Sequence, residues 1–316
     1  MRTRVLVVLL VVACGGCANR PANARLKTID IDAIDIATNA STGQTTHHEV
    51  TYDDGGHPVA MQRVSKQGGF PDDIFDLELV WSGDHLASVR RARTSGDGLD
   101  EGIDTTTLTY DGSRLSSGSN DPAGVTTLAY DSSGRITSIA GPTSTQTRTL
   151  TYGPDGSLAS VDDVGANGRA DSSASFTYDR GKLKSIGAGA SGATNVVYAD
   201  ERVSALVSVQ IPLDAQGQPV LDASGQPISQ TRTTTLSFDD AGRVAFAQTL
   251  TEDCPSCTPI PQVTLTYEEG DAAEALNLTP GFMLSFGLVD LTGQVFPAPD
   301  ATAHAVRLAG LIDPLL

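Results

Sequence analysis

Basic residues are scarce in this chain of 316: 21 Lys and Arg stand against 38 Asp and Glu, a formal charge of −17. An acidic surface repels phosphates and has few cations with which to displace counterions, which excludes nucleic acid as a natural partner. Cations, basic proteins and neutral glycans fit this charge, which also keeps an exported protein in solution. Imidazoles are equally few, namely His47, His48, His57, His85 and His304. Adjacent strand residues point to opposite faces, so His47 and His48 are poorly placed to share a metal ion. No Gly-x-Ser-x-Gly elbow occurs, and the carboxylates sit in turns where a structural role suffices. Catalysis is therefore not expected. The segment Gly187 to Gly192 satisfies Gly-x-Gly-x-x-Gly, but a second strand pattern follows it instead of the helix that would hold a pyrophosphate.

Long apolar runs are also missing, apart from Val5 to Val12 at the start. That run is far shorter than the ~20 residues of a spanning helix, and Arg2 and Arg4 precede it, so it reads as an export signal. Its end, Val11-Val12-Ala13-Cys14, resembles the bacterial lipobox. The resemblance implies cleavage after residue 13 and acylation of Cys14, with Cys17 the second choice. Two or three acyl chains, palmitate among them, would anchor the protein to the membrane durably. Gly15 and Gly16 follow in place of the Asp that retains lipoproteins in the inner membrane, which implies an outer-membrane destination in a bacterial cell envelope. Residues 14–27 then read as acylated Cys plus flexible tether.

What the chain has in abundance is one recurring unit. Leu128-Ala129-Tyr130-Asp131-Ser132-Ser133-Gly134-Arg135-Ile136-Thr137-Ser138-Ile139 is a clear copy, and variants recur around Tyr52, Trp81, Tyr110, Tyr152, Tyr178, Tyr198, Phe238 and Tyr267. Apolar and Thr residues alternate before the turn, and β-branched residues follow it with a period near two. Asp131 can accept backbone N–H bonds, and Gly134 can take the left-handed conformation that closes the loop. Each unit is thus a β-hairpin, and hairpins in series must pair edge to edge to be stable. The expected fold is all-β: a long twisted or curled antiparallel sheet over residues 28–275, with residues 276–316 as a C-terminal cap on its exposed last strand.

Tyr130-Asp131-Gly134-Arg135-Ile136, Phe238-Asp239-Gly242-Arg243-Val244 and Tyr178-Asp179-Gly181-Lys182-Leu183 resemble the YD repeat of the RHS family. In that family such hairpins form a strip that spirals into a shell. The resemblance implies the architecture only, because the self-cleaving Asp motif and the toxin domain of large members are not found here.

Several stretches depart from the unit. Asp97, Asp100 and Asp104, and likewise Asp163, Asn167 and Asp171, space oxygen ligands among Gly as a calcium loop does, without the closing Glu of an EF-hand. Calcium is the one cofactor these loops leave open. Leu213 to Ile228 repeats an eight-residue turn unit with Pro219 and Pro227, a rigid protruding loop. Cys254 and Cys257 flank Pro255-Ser256 without a thioredoxin-like helix or a second ligand pair, which favours a loop-tip disulfide over redox or zinc chemistry. The chain thus reads as an envelope lipoprotein whose repeat-built β scaffold binds a protein or glycan. Alternatives are a carrier that encloses an apolar ligand in a curled sheet, and a toxin-related shell fragment.

Overall fold

The computed structural model describes residues 24–35, 40–83, 85–94, 100–120, 124–141, 146–165, 170–187, 192–199, 202–211, 218–240, 243–252 and 260–269. β1 (Ala24–Asp35), β2 (Ala40–Tyr52), β3 (Pro58–Lys66), β4 (Asp73–Ser82), β5 (His85–Thr94) and β6 (Asp100–Asp111) come first. β7 (Arg114–Asn120), β8 (Gly124–Tyr130), β9 (Ile136–Ala140), β10 (Gln146–Tyr152), β11 (Leu158–Gly165) and β12 (Ala170–Asp179) follow. β13 (Lys182–Gly187), β14 (Gly192–Ala199), β15 (Arg202–Gln210), β16 (Gln230–Phe238), β17 (Val244–Thr251) and β18 (Ile260–Glu269) complete the set.

Each strand pairs antiparallel with its neighbours in sequence, and β18 pairs with β1. The expected open sheet is thereby corrected: the eighteen strands close into one barrel. Closure satisfies the two backbone edges that a series of hairpins leaves bare. The edge that a C-terminal cap was expected to cover is already paired, and residues 276–316 lie outside the described residues.

The turns explain the hairpins. In the unit of Tyr130, Asp131 Oδ1 accepts the backbone N–H of Ser133 at 2.9 Å and of Arg135 at 2.9 Å, and the N–H of Gly134 bonds Asp131 O at 3.0 Å. Gly134 sits at φ 84°, a conformation that a Cβ disfavours. Those N–H bonds, the one from Arg135 first, hold the Asp131 carboxyl below its usual range. The unit of Tyr178 closes more tightly, with Arg180 at φ 51° and Gly181 at φ 80°, as a two-residue turn with both centres left-handed requires.

Past every turn lies a β-bulge, which the near-period-two reading did not contain. Ala129 pairs with Ser138 but Tyr130 pairs with Ile136, so Thr137 is the extra residue. The same shift stands beside Tyr52, Trp81, Tyr110, Tyr152, Tyr178, Tyr198 and Phe238. The bulge turns the residue three positions on back to the inner face, so Ile136 and Ile139 are both buried, as are Leu86 and Val89, and Leu183 and Ile186. Each such side chain contributes about 1.5–3 kcal/mol relative to exposure.

The opposite face of the sheet meets water. On β2 to β5 it carries His47, Glu49, Gln62, Asp76, Glu78 and Arg90, and farther round it carries Thr and Ser such as Thr107, Thr109, Thr151 and Thr177. Glu78 and Arg90 are 57% and 46% exposed. A bilayer-spanning barrel carries a continuous apolar band outward, whereas this outer face is mostly polar, with Val80, Ile103, Val125, Val197 and Leu250 among the exposed side chains.

Candidate functional site

The barrel has two unlike rims. At one rim stand the hairpin turns and the aromatic anchors that end the even-numbered strands. Tyr52 Oη donates to Leu26 O at 2.8 Å, Trp81 Nε1 to Pro58 O at 2.8 Å, and Tyr110 Oη to Leu86 O at 2.8 Å. Tyr130, Tyr152 and Tyr198 do the same to Leu115 O, Ile136 O and Leu183 O at 2.6, 2.7 and 2.8 Å. Each ring therefore binds the return strand of the preceding hairpin and locks neighbouring units together. Burial pushes the Tyr52, Tyr110 and Tyr178 phenols up to about 12, so they stay protonated. Arg135 lies over the Tyr152 ring at 4.5 Å and Arg243 over the Tyr267 ring at 4.3 Å. This rim is construction: six of the anchors commit their polar tips to the preceding unit.

Away from the turns the inner face changes in tiers. The anchors and their partners form the first. Leu and Ile dominate the second, for example Leu108, Leu150, Leu236, Ile139 and Ile186, all buried. In the third, four residues before the aromatic and five after its partner, polar groups become frequent: His48, Thr106, Thr126, Arg148, Thr194 and Thr234 on the outgoing strands, and Arg63, Arg91, Asp163 and Ser208 on the return strands, interrupted by Leu77, Ala174, Val263 and Ile31. Asp73, Arg93, Asp104 and Arg232 stand beyond them toward the far rim, here termed the mouth.

Many of these groups satisfy one another. Arg148 binds Asp163 through Nε at 2.7 Å and Nη2 at 3.1 Å. Arg91 Nη2 meets Asp104 Oδ2 at 2.9 Å, and Arg93 Nε meets Asp73 Oδ1 at 3.0 Å. Thr194 shares a hydrogen bond with Ser208, and Thr234 with Thr249, each at 2.8 Å. Arg63 lies over Phe75 at 5.0 Å. Others are left over. His48 Nδ1, Arg91 Nε, Asp104 Oδ1, Thr106 Oγ1 and Arg232 Nε are buried without a hydrogen-bond partner among the described residues. An unmatched buried polar atom costs about 1–3 kcal/mol, so each of these atoms gains free energy from any partner beyond the described residues, water or ligand included. His48 is only 2% exposed. Burial, with Arg63 and His47 adding to it, lowers its pKa to about 4, which leaves a neutral imidazole.

The mouth is also where the hairpins are joined to one another, because the strands leave every unit at this rim. The connections 36–39, 67–72, 95–99, 121–123, 141–145, 166–169, 188–191, 211–229 and 252–259 all start and finish here. Asp97, Asn167, Cys254 and Cys257 fall in them and lie outside the described residues, as does Cys14. Asp100 and Asp171 lie on β6 and β12 near the same rim. Asp104 and Asp163, the two calcium candidates whose side chains are described, face Arg91 and Arg148. Among the described residues no three His, Cys, Asp or Glu converge on a common point. The polar tier carries hydrogen bonding and mixed charge, which suits recognition. Residue-by-residue reading of the sequence misses it, although the signal is present once the units are aligned on their aromatics: Thr106-x-Leu108-x-Tyr110, Thr126-x-Leu128-x-Tyr130 and Arg148-x-Leu150-x-Tyr152.

No family model matches the chain, and no curated protein matches it. Among solved structures it is similar to a mutant Tc holotoxin pore of Photorhabdus luminescens, at 11% identity and a TM-score of 0.32, over 73% of this chain but only 15% of that one. A TcdB2–TccC3 crystal structure gives 12% identity and a TM-score of 0.29, over 76% of this chain and again 15% of the other. A porin-like protein from Bacteroides uniformis matches at 11% identity and a TM-score of 0.35, over 77% of this chain and 98% of that chain. Likeness at this level carries neither a family nor a function.

Proposed function

We propose that this protein is a non-catalytic scaffold of the bacterial cell envelope, tethered through acylated Cys14, that binds a protein or glycan partner at the barrel mouth. The observation that supports this reading is the concentration of unmatched buried polar atoms in the third tier and just beyond it, beneath the rim that gathers the connections between units. Connections on a rigid frame are common carriers of binding function. The predominantly polar outer wall suits a protein that stands in an aqueous compartment.

Thr106→Val tests the site. Valine keeps the shape and removes a hydroxyl that has no partner among the described residues, so stability should rise by about 1 kcal/mol or stay level. Binding to purified envelope glycan or protein fractions, read by surface plasmon resonance, should weaken about tenfold if that hydroxyl meets the partner. Arg90→Ala, on the outer wall, is the control and should leave binding unchanged. Equal binding by wild type and Thr106→Val, together with a loss for Arg90→Ala, would move the site from the mouth to the outer wall.

A further inference from the structure

Eight of the nine aromatic anchors are followed by their own return strand. The ninth, Tyr267, ends β18 and is instead paired with Leu26 at the start of β1. The match is complete in detail. Thr266 pairs with Thr28 and Tyr267 with Leu26, which leaves Lys27 as the bulge residue, in the place of Thr137 beside Tyr130. Arg25 Nε donates to Glu268 Oε1 at 2.7 Å, as Arg135 Nε does to Asp131 Oδ2 at 2.8 Å and Arg243 Nε to Asp239 Oδ2 at 2.6 Å. Arg25 stacks over Tyr52 at 4.5 Å, as Arg135 does over Tyr152, also at 4.5 Å. Leu26 and Ile29 are 4% and 0% exposed, in the places of Ile136 and Ile139. The segment Arg25-Leu26-Lys27-Thr28-Ile29 is therefore the second half of a unit whose first half lies 243 residues away.

We infer that β1 is a separable strand, and that the groove between β18 and β2 is a binding site for a β-strand carrying Arg-Leu-x-Thr-Ile, occupied in cis by the chain's own N-terminal strand. Recognition has three parts. The ladders to β18 and β2 supply affinity by strand addition. Leu26, Ile29 and Ile31 fill inner positions of the barrel and fix the register, because a slip of one residue would turn them to solvent. Arg25 reads Glu268 on one side and the Tyr52 ring on the other. On the outer face, Asp30 Oδ1 meets His47 Nδ1 at 2.6 Å and Asp32 Oδ1 accepts from Ser41 Oγ at 2.6 Å, which adds a polar check on the β2 side.

The experiment uses the full chain with a protease site in place of residues 36–39, the link between β1 and β2. After cleavage, a fluorescent peptide of residues 24–35 should exchange into the barrel, read by fluorescence anisotropy. A peptide with Arg25→Glu should bind about tenfold more weakly, the equivalent of one charged hydrogen bond, and should recover against a barrel with Glu268→Arg. Equal exchange by a scrambled peptide, or a β1 fragment that departs and leaves the melting temperature unchanged, would overturn the inference. The uncut chain supplies a second reading. Arg25→Glu and Glu268→Arg should each lower the melting temperature, and the double variant should restore it, as Arg243→Glu with Asp239→Arg should within its own unit. No restoration at Arg25 alongside restoration at Arg243 would show that the split unit is not equivalent to the continuous ones.

Discussion

Tyr130 and Gly134 show what a single position does here. The Tyr130 ring packs against the core and its hydroxyl holds Leu115 O, so Tyr130→Ala removes both a packed ring and the bond to the preceding hairpin. A loss of about 2–4 kcal/mol is expected in a urea titration. Gly134→Val combines an unfavourable φ with a Cβ that would collide with the Arg114 guanidinium, and should cost about 1–2 kcal/mol or more. A Tyr130 variant that unfolds like wild type but loses binding would mark the motif as a site and not as a fastening. His48 gives a pH signature. Its folded pKa near 4 lies below its ordinary value of 6.5, so the unfolded chain takes up the proton first as the pH falls. The stability from this group is complete above pH 6.5, declines between 6.5 and 4 and is flat below, a total of about 3 kcal/mol. His48→Gln should flatten that part of the stability curve in urea titrations at stepped pH; an unchanged slope would mean that His48 titrates normally.

At the scale of the element, the hairpin was legible from its sequence because its signals are local: the Asp and Gly of the turn lie three residues apart, and the alternation of Leu128, Tyr130 and Ile136 spans a few more. The bulge was not, since Thr137 satisfies a strand pattern whether or not it pairs. Its role can be tested by length. Deletion of Thr137 places Ile136 and Ile139 two positions apart, so both still face inward on a regular strand, but it removes the local bend and twist of the bulge, whereas Thr137→Ala keeps the bulge. The deletion should lower the urea midpoint far more than the alanine, which should cost under about 1 kcal/mol. Similar midpoints would mean that the extra residue is only tolerated. The third tier was hidden for another reason. A Thr four residues before an aromatic is unremarkable in one unit, and only its repetition at Thr106, Thr126, Thr194 and Thr234 shows a polar tier.

At the scale of the whole molecule, closure was the part that reading in chain order could not reach, because Arg25 and Glu268 are neighbours only after the entire sheet has formed. A segment that begins Arg25-Leu26 without a preceding aromatic looks like a tether end, yet its ladder to β18 makes it the last piece of the ring. Closure over such a separation belongs among the slowest contacts to form. Anchoring is the other whole-molecule question. Cys14→Ala should abolish incorporation of labelled palmitate and leave uncleaved precursor, while Cys17→Ala should do neither; the reverse pattern would transfer the anchor to Cys17.

The placement of Leu26 opposite Tyr267 has a mechanical consequence. A chain held through Cys14, as proposed, would be held by the very strand that closes the ring and pulled from the turn rim, with the mouth directed away from the membrane. Tension then runs along the axis of β1, so the hydrogen bonds to β18 and β2 share the load side by side instead of parting one after another. A barrel tethered in this way would resist a pull on its leash through two ladders at once, and the strand proposed to exchange at rest is the one best oriented to bear force.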